Sequence, residues 1–276
     1  MPKPSTIAEF CEQQQPGFIA AHTASDNRCV LKSDYWLQKL DPAHRPQEYL
    51  NTQFKSWSRS SSELDFFDWC AAKEAAWDSQ INSIAYLRTD NLRENYQAQF
   101  INDHIYLRDA IADTTHFEIP GKGNGYAAYV ITADGTLYLN DQHQKNCFSH
   151  ASFTHGEPVV CAGMIKIVAG KIMDINNISG HYRPNLSHFA QAILRIHPEL
   201  FHKQGRITWK EPYFATASES LLRSDYKTLR FFGTCVAGSR KIHQFSDPDN
   251  FISFAVERIA ACSHEPMPRS HAAAMA

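Results

Sequence analysis

The sequence predicts an α+β fold: a helical N-terminal region packed on a central antiparallel β core, followed by a mixed C-terminal region. Two observations predict it. Apolar residues recur at helical spacing up to about Asp78 and at strand spacing from Ile81 onward. The turns of the centre, Tyr126 to Pro184, are short and local, at Asp134-Gly135 and Ala169-Gly170, which favours antiparallel hairpins over a parallel doubly wound sheet. The expected organisation is residues 1–80 helical, 81–184 antiparallel β core, 185–263 mixed and helical, and 264–276 a disordered tail.

Thr6 and Glu9 have capping-box spacing and open the first helix. Pro46 precedes a helix over Gln47–Ser58, whose Tyr49, Leu50, Phe54 and Trp57 share a face. Ser60 and Glu63 introduce a third, Leu64–Asp78, with Phe66, Phe67, Trp69, Cys70 and Trp77 in one apolar sector. Ile84–Arg88 reads as a strand, and Tyr96–Ile101 with His104–Leu107 as a hairpin about Asn102-Asp103. Tyr126–Thr132 pairs with Thr136–Asn140 across Ala133-Asp134-Gly135, Phe148–Phe153 reads as a strand, and Val159–Val168 pairs with Lys171–Ile175. Pro184-Asn185 starts a helix over Leu186–Ile196; Arg206–Trp209 reads as a strand, and Ser246-Asp-Pro-Asp249 begins a helix from Phe251 to Cys262.

The chain has 276 residues, a net charge of −2, 43% hydrophobic and 20% charged residues. That composition suits a globular protein and gives no overall positive field for nucleic acid or an anionic membrane. No stretch approaches the ~18 apolar residues of a membrane span, and Met1–Gln15 lacks the apolar segment of a Sec signal. The seven cysteines are scattered without a CxxC and read as reduced thiols. The protein is therefore expected in the cytoplasm as synthesised.

Four groups of residues could carry chemistry. Gly121-Lys122-Gly123-Asn124-Gly125 could cradle a phosphate, but a strand follows it where a P-loop needs a helix, so a connector is favoured. His143, Cys147, His150 and His155 are potential zinc donors; on a strand, Cys147 and His150 would face opposite ways, and no metal is assigned. Cys11, Cys147 and Cys235 lie near turns and are the candidates for a cysteine hydrolase, against a default of buried thiols. Finally, His150 and Ser152 fall on one face of the Phe148–Phe153 strand, and Ser179-Gly180-His181 sits at a strand exit. Such residues either complete hydrogen bonds at a corner or line a pocket.

The stretch Asp113–Pro184 resembles a module of plant IQ-motif (calmodulin-binding) proteins and of several bacterial toxin or effector proteins. The resemblance is carried by Asp113-Thr114, Asp134-Gly135-Thr-Leu137-Tyr138, His150-Ala-Ser152-Phe153, Gly156-Glu-Pro-Val159, Ala162-Gly163-Met164-Ile165, Gly170-Lys171-Ile172 and Ser179-Gly-His-Tyr-Arg-Pro184. Two positions depart from the module: Ala151 replaces a Ser and Met164 replaces a Glu. No IQ motif is present, so calmodulin is not expected as a partner. The chain is also similar, more weakly, to toxin-type mono-ADP-ribosyltransferases, in Tyr86-Leu-Arg88-Thr-Asp90. That similarity implies Arg88, with Thr115, on NAD phosphates, Thr114 or Thr115 as the hydroxyl, and Glu157 stabilising an oxocarbenium-like transition state. The resemblances together imply an effector or toxin-like protein, secreted by a specialised system, that binds NAD. It would modify a protein in a host or competitor cell, with Glu157, Arg88, Thr114, His150, Ser152 and His181 as its site. The alternatives are a non-enzymatic protein-binding effector module and a cysteine hydrolase. The enzymatic reading requires Arg88 and Glu157 to face one cleft.

Overall fold

A computed structural model describes residues 3–23, 28–75, 84–119, 123–140, 147–211 and 241–264. The proposed tail beyond His264, together with Cys235, His143 and Gly121-Lys122, lies outside them. The architecture is α+β, as expected. Helix α1 (Ile7–Gln14) starts where the capping box places it: the Thr6 hydroxyl accepts the Glu9 N–H at 3.1 Å, and the Glu9 carboxylate accepts the Thr6 N–H at 3.3 Å. Thr6→Ala is expected to lower stability by about 1 kcal/mol, read as a shifted urea midpoint that Thr6→Ser restores.

Helices α2 (Phe18–Thr23), α3 (Trp36–Leu40), α4 (Gln47–Ser58) and α5 (Phe66–Ala75) complete the N-terminal layer. Phe10 of α1 ties them together, meeting Phe54, Trp57 and Phe66 edge-on at 5.7, 5.7 and 5.5 Å, the offset geometry that ring quadrupoles favour. After the short α6 (Asp90–Glu94), β1 (Ala98–Ile101), β2 (His104–Leu107) and β3 (Ala110–Ile111) form a small antiparallel sheet. Its first turn is the expected Asn102-Asp103, both at positive φ as a type I′ turn requires. Strands β4 (Glu118–Ile119) and β5 (Gly123–Asn124) pair with each other.

The main sheet uses β6 (Ala127–Ile131), β7 (Leu137–Asn140), β8 (Cys161–Val168), β9 (Lys171–Asn176), β10 (Phe201–Lys210) and β11 (Ile242–Phe245), in the order β11-β10-β9-β8-β6-β7. One of its faces packs Tyr129, Ile165, Ile167 and Ile175 against α7 (Leu186–Arg195) and α8 (Pro248–His264), through Phe189, Ile193 and Phe251. The other packs Ala128, Val130, Ala162 and Met164 against the N-terminal helices. Because both faces are covered, all five residues of β6 are buried.

Within residues 127–176 the main sheet is antiparallel, as expected; it becomes mixed where β10, from the C-terminal region, joins β9 in parallel. A parallel pair needs a crossover, and α7 supplies it. Two expectations are corrected. Residues 84–88 run extended without a ladder: Ile84 donates to the His44 carbonyl, Ala85 to Cys147 and Leu87 to Ser152, three separate acceptors that no single strand could offer. The expected Phe148–Phe153 strand is a turn containing a 3-10 helix over His150–Ser152. Ser149 and Ser152 cap each other's backbone, and such local bonds outcompete a ladder.

Candidate functional site

Most of the motif residues hold the fold together. The His150 ring donates from Nε2 to the Gly163 carbonyl at 2.9 Å and pins the turn to β8. The Ser152 hydroxyl, fully buried, accepts the Ser149 N–H at 2.9 Å. Tyr182, also fully buried, donates to the Glu157 carbonyl at 2.9 Å, while Arg183 pairs with Asp34 at 2.7 Å and so stitches the Ser-Gly-His-Tyr-Arg-Pro corner to the N-terminal layer. Thr114 is buried; its oxygen lies 2.6 Å from the Gly125 carbonyl and accepts the Ile167 N–H at 2.8 Å. Thr115 bonds to Asp113 beside it. Their neighbours Ala112 and Phe117 pack in the α7–α8 cluster, whereas Tyr86 and Leu87, next to Arg88, pack in the N-terminal one. The structure therefore does not bring Thr114 or Thr115 to Arg88.

Arg88 and Glu157 do approach one region, around His155, but each has its own partner. The Glu157 carboxylate, largely exposed, is 2.7 Å from the Lys39 ammonium. Arg88 Nη2 is 2.7 Å from His44 Nε2. The His44 Nδ1 faces the Gln38 carbonyl at 3.0 Å, so Nδ1 carries the proton and Nε2 accepts from Arg88. His22 repeats the arrangement, with Nδ1 at the Phe18 carbonyl and Nε2 accepting from Lys39 at 3.0 Å. These rings are held neutral. Burial lowers the pKa of His22 and His44, and the neighbouring cations lower it further. His155 falls to about 4, from burial first and then Lys39, His44 and Arg88. A cation anchored to a neutral imidazole or a carboxylate is an architectural use.

His150 and His181 do share a cleft of about 260 Å³. It is lined by residues leading into α3 and α4 and by the His150 turn, together with Met164 and Ile178. His181 stacks on Tyr35 at 3.8 Å between ring centres, and Glu48 stands exposed at the rim. Ser152 is not among the lining residues. Met164, where the resembling module has a Glu, also borders a second cavity beside it. Sequence reasoning missed Tyr35 and Glu48, because only the packing of the N-terminal layer brings them to this corner.

Three of the described thiols are kept protonated by burial. Cys11 and Cys161 are pushed up to about 12 by burial, and Cys29 is raised well above its ordinary value. Cys147 is half-buried and opens the His150 turn. Among the described residues, no group of three or more His, Cys, Asp or Glu is placed to hold a metal ion. No helix among them is long and apolar enough to cross a membrane.

Residues 93–189 match the family model of the IQ motif-containing protein middle domain. Curated relatives include three proteins of Arabidopsis thaliana. IQ domain-containing protein IQM5 is 28% identical over 179 residues, covering 61% of this chain and 34% of the relative. For IQM3 the values are 26% over 172 residues, 58% and 36%; for IQM4 they are 25% over 171 residues, 59% and 31%. The chain thus spans about a third of the length of these relatives. No solved structure is significantly similar to it. The similarity to plant IQ domain-containing proteins overturns the reading as a bacterial effector or toxin with an ADP-ribosyltransferase core acting on a host or competitor protein. The exclusion of calmodulin as a partner falls as well, because the relatives are themselves IQ domain-containing proteins.

Proposed function

We propose that the chain is a protein-binding module that works without catalysis, and that a partner segment docks in the cleft between the N-terminal layer and the His150 turn. The observation that supports this reading is how the reactive side chains are used. His150, Ser152, Thr114 and Tyr182 bond within the fold, and Glu157 is neutralised by Lys39. A nucleophile needs an adjacent base, and no described candidate has that geometry. The cleft instead presents a stacked Tyr35–His181 wall beside the exposed Glu48 carboxylate, a surface suited to an apolar anchor next to a basic residue. The match to a middle domain agrees with a module that acts beside other segments.

Calmodulin is the first partner to test, given the IQ domains named in the relatives. Pull-downs with the full chain, with and without calcium, and from a plant lysate should yield a stoichiometric partner. Glu48→Lys and His181→Ala are expected to weaken its capture about tenfold, ~1.4 kcal/mol. A partner held equally by wild type and both variants would remove the cleft from the reading.

A further inference from the structure

Helix α3 buries two polar side chains, Gln38 and Lys39, beside Trp36 and Leu37. Lys39 is met by Glu157 and His22. Gln38 is used differently. Its backbone carbonyl accepts from the His44 ring at 3.0 Å, but its side-chain amide makes no hydrogen bond among the described residues, although the residue is only 2% exposed. The amide atoms are not sealed from solvent, and Gln38 lines the docking cleft, which is where they open. Other polar side chains of the lining have partners. Gln47 accepts from Asn51 at 3.1 Å, the Ser149 hydroxyl meets that of Ser152 at 3.3 Å, and His150 is bonded to the Gly163 carbonyl. Glu48 is exposed and has no ion-pair partner among the described residues. An amide withdrawn from bulk water and left unpaired costs about 1–3 kcal/mol, which a docking group able to pair with it recovers.

At about 260 Å³ the cleft falls below the ~300–1,000 Å³ of pockets that enclose a drug-sized ligand, and it suits a single side-chain anchor. A carboxamide matches Gln38 best, because it offers both a donor and an acceptor to the acceptor and donor of the amide. A carboxylate would leave the Gln38 carbonyl unmet and bring a like charge toward Glu48; an ammonium would leave the Gln38 N–H groups unmet. Ile84, Phe148, Met164 and Ile178 offer apolar contact to the aliphatic stem of the anchor. We propose that the docked segment is anchored by an asparagine or glutamine side chain paired with the Gln38 amide, with a Lys or Arg of the same segment against Glu48. The proposal rests on the reading of this cleft as a protein-docking site and names the chemistry of what docks there.

The test is fluorescence anisotropy of the full chain with labelled, alanine-based ten-residue peptides. Each carries one anchor (Gln, Asn, Met or Glu) and an Arg one to four residues from it. Gln or Asn peptides should bind about tenfold more tightly than Glu peptides and than Met peptides, whose anchor has the length of Gln without its polar head. Gln38→Met should level the Gln and Met anchors. Glu48→Ala should cost the Arg-bearing peptides their advantage over peptides with Ala in that place. If Gln38→Met fails to fold, the comparison of anchors on the wild type still decides. Peptides that bind regardless of their anchor overturn the carboxamide anchor and leave the docking cleft standing. Peptides that do not bind at all overturn it as well, and the pull-down with Glu48→Lys and His181→Ala then tells whether the cleft docks a protein.

Discussion

Gly163→Ala is expected to prevent the β core from forming. A Cβ at this position would stand 1.9 Å from the Asn176 carbonyl oxygen and 3.0 Å from Tyr129 Cε1. Neither neighbour can give way. The Asn176 carbonyl accepts the Tyr129 hydroxyl at 3.0 Å, and the Asn176 side chain accepts the N–H groups of Met164 and Ile178 at 3.3 and 3.0 Å. Gly163's own carbonyl is held by His150. The strain would be shared by β6, β8 and β9 together, so the loss should exceed about 4 kcal/mol, at the far end of single-substitution effects. Soluble yield and the urea midpoint are the readouts. Gly180→Ala, whose Cβ would meet only the Tyr35 hydroxyl at 3.2 Å, is the matched comparison and should stay within about 1 kcal/mol. A soluble Gly163→Ala protein with the wild-type midpoint would refute this account of β8.

Acidification is the second large effect. His188 is 8% exposed, and burial, with Lys32 nearby, lowers its pKa to about 4. Its Nδ1 accepts the Asn185 N–H at the start of α7, a role that protonation would end. The unfolded chain takes up this proton near 6.5, whereas the folded chain resists until about 4. Stability is therefore full above the unfolded value and is lost as pH falls through that window. The difference corresponds to roughly 3 kcal/mol for His188 alone. His22, His44 and His155 act in the same direction. Asp174, whose carboxyl is raised by burial, acts in the opposite one. The urea midpoint should drop steeply from pH 7 to about pH 4.5, and His188→Gln should flatten the slope. A midpoint constant over that range would show that these rings are protonated in the folded state.

The elements with local signals were legible in the sequence. The Thr6–Glu9 box, the hairpin at Asn102-Asp103 and the helix beginning at Asn185 are each written within a few residues of chain, and each forms where expected. What failed depended on partners far away. Residues 84–88 have strand periodicity, yet their acceptors are scattered over His44, Cys147 and Ser152, and no local pattern carries that information. The Phe148–Phe153 segment alternates like a strand, but Ser149 and Ser152 close on each other. His150 and Ser152 were expected on one strand face; the turn separates them, so His150 lines a cleft with His181 while Ser152 is buried against Ser149, and no local pattern shows this. Arg88 and Glu157 were expected to converge on a ligand, and Lys39 and His44, both distant in sequence, occupy them first.

The parallel β9–β10 pair bears on where this module ends. The family match stops at residue 189, partway along α7, yet β9 is an interior strand only because β10 and β11 follow. A chain cut at that limit would leave the amide and carbonyl row of β9 bare and the Trp209 and Phe251 surfaces missing from over Phe189. Such open ladders invite pairing between molecules. The stretch that matches the family model and the length of chain that closes this sheet are thus different, and the second reaches at least to α8.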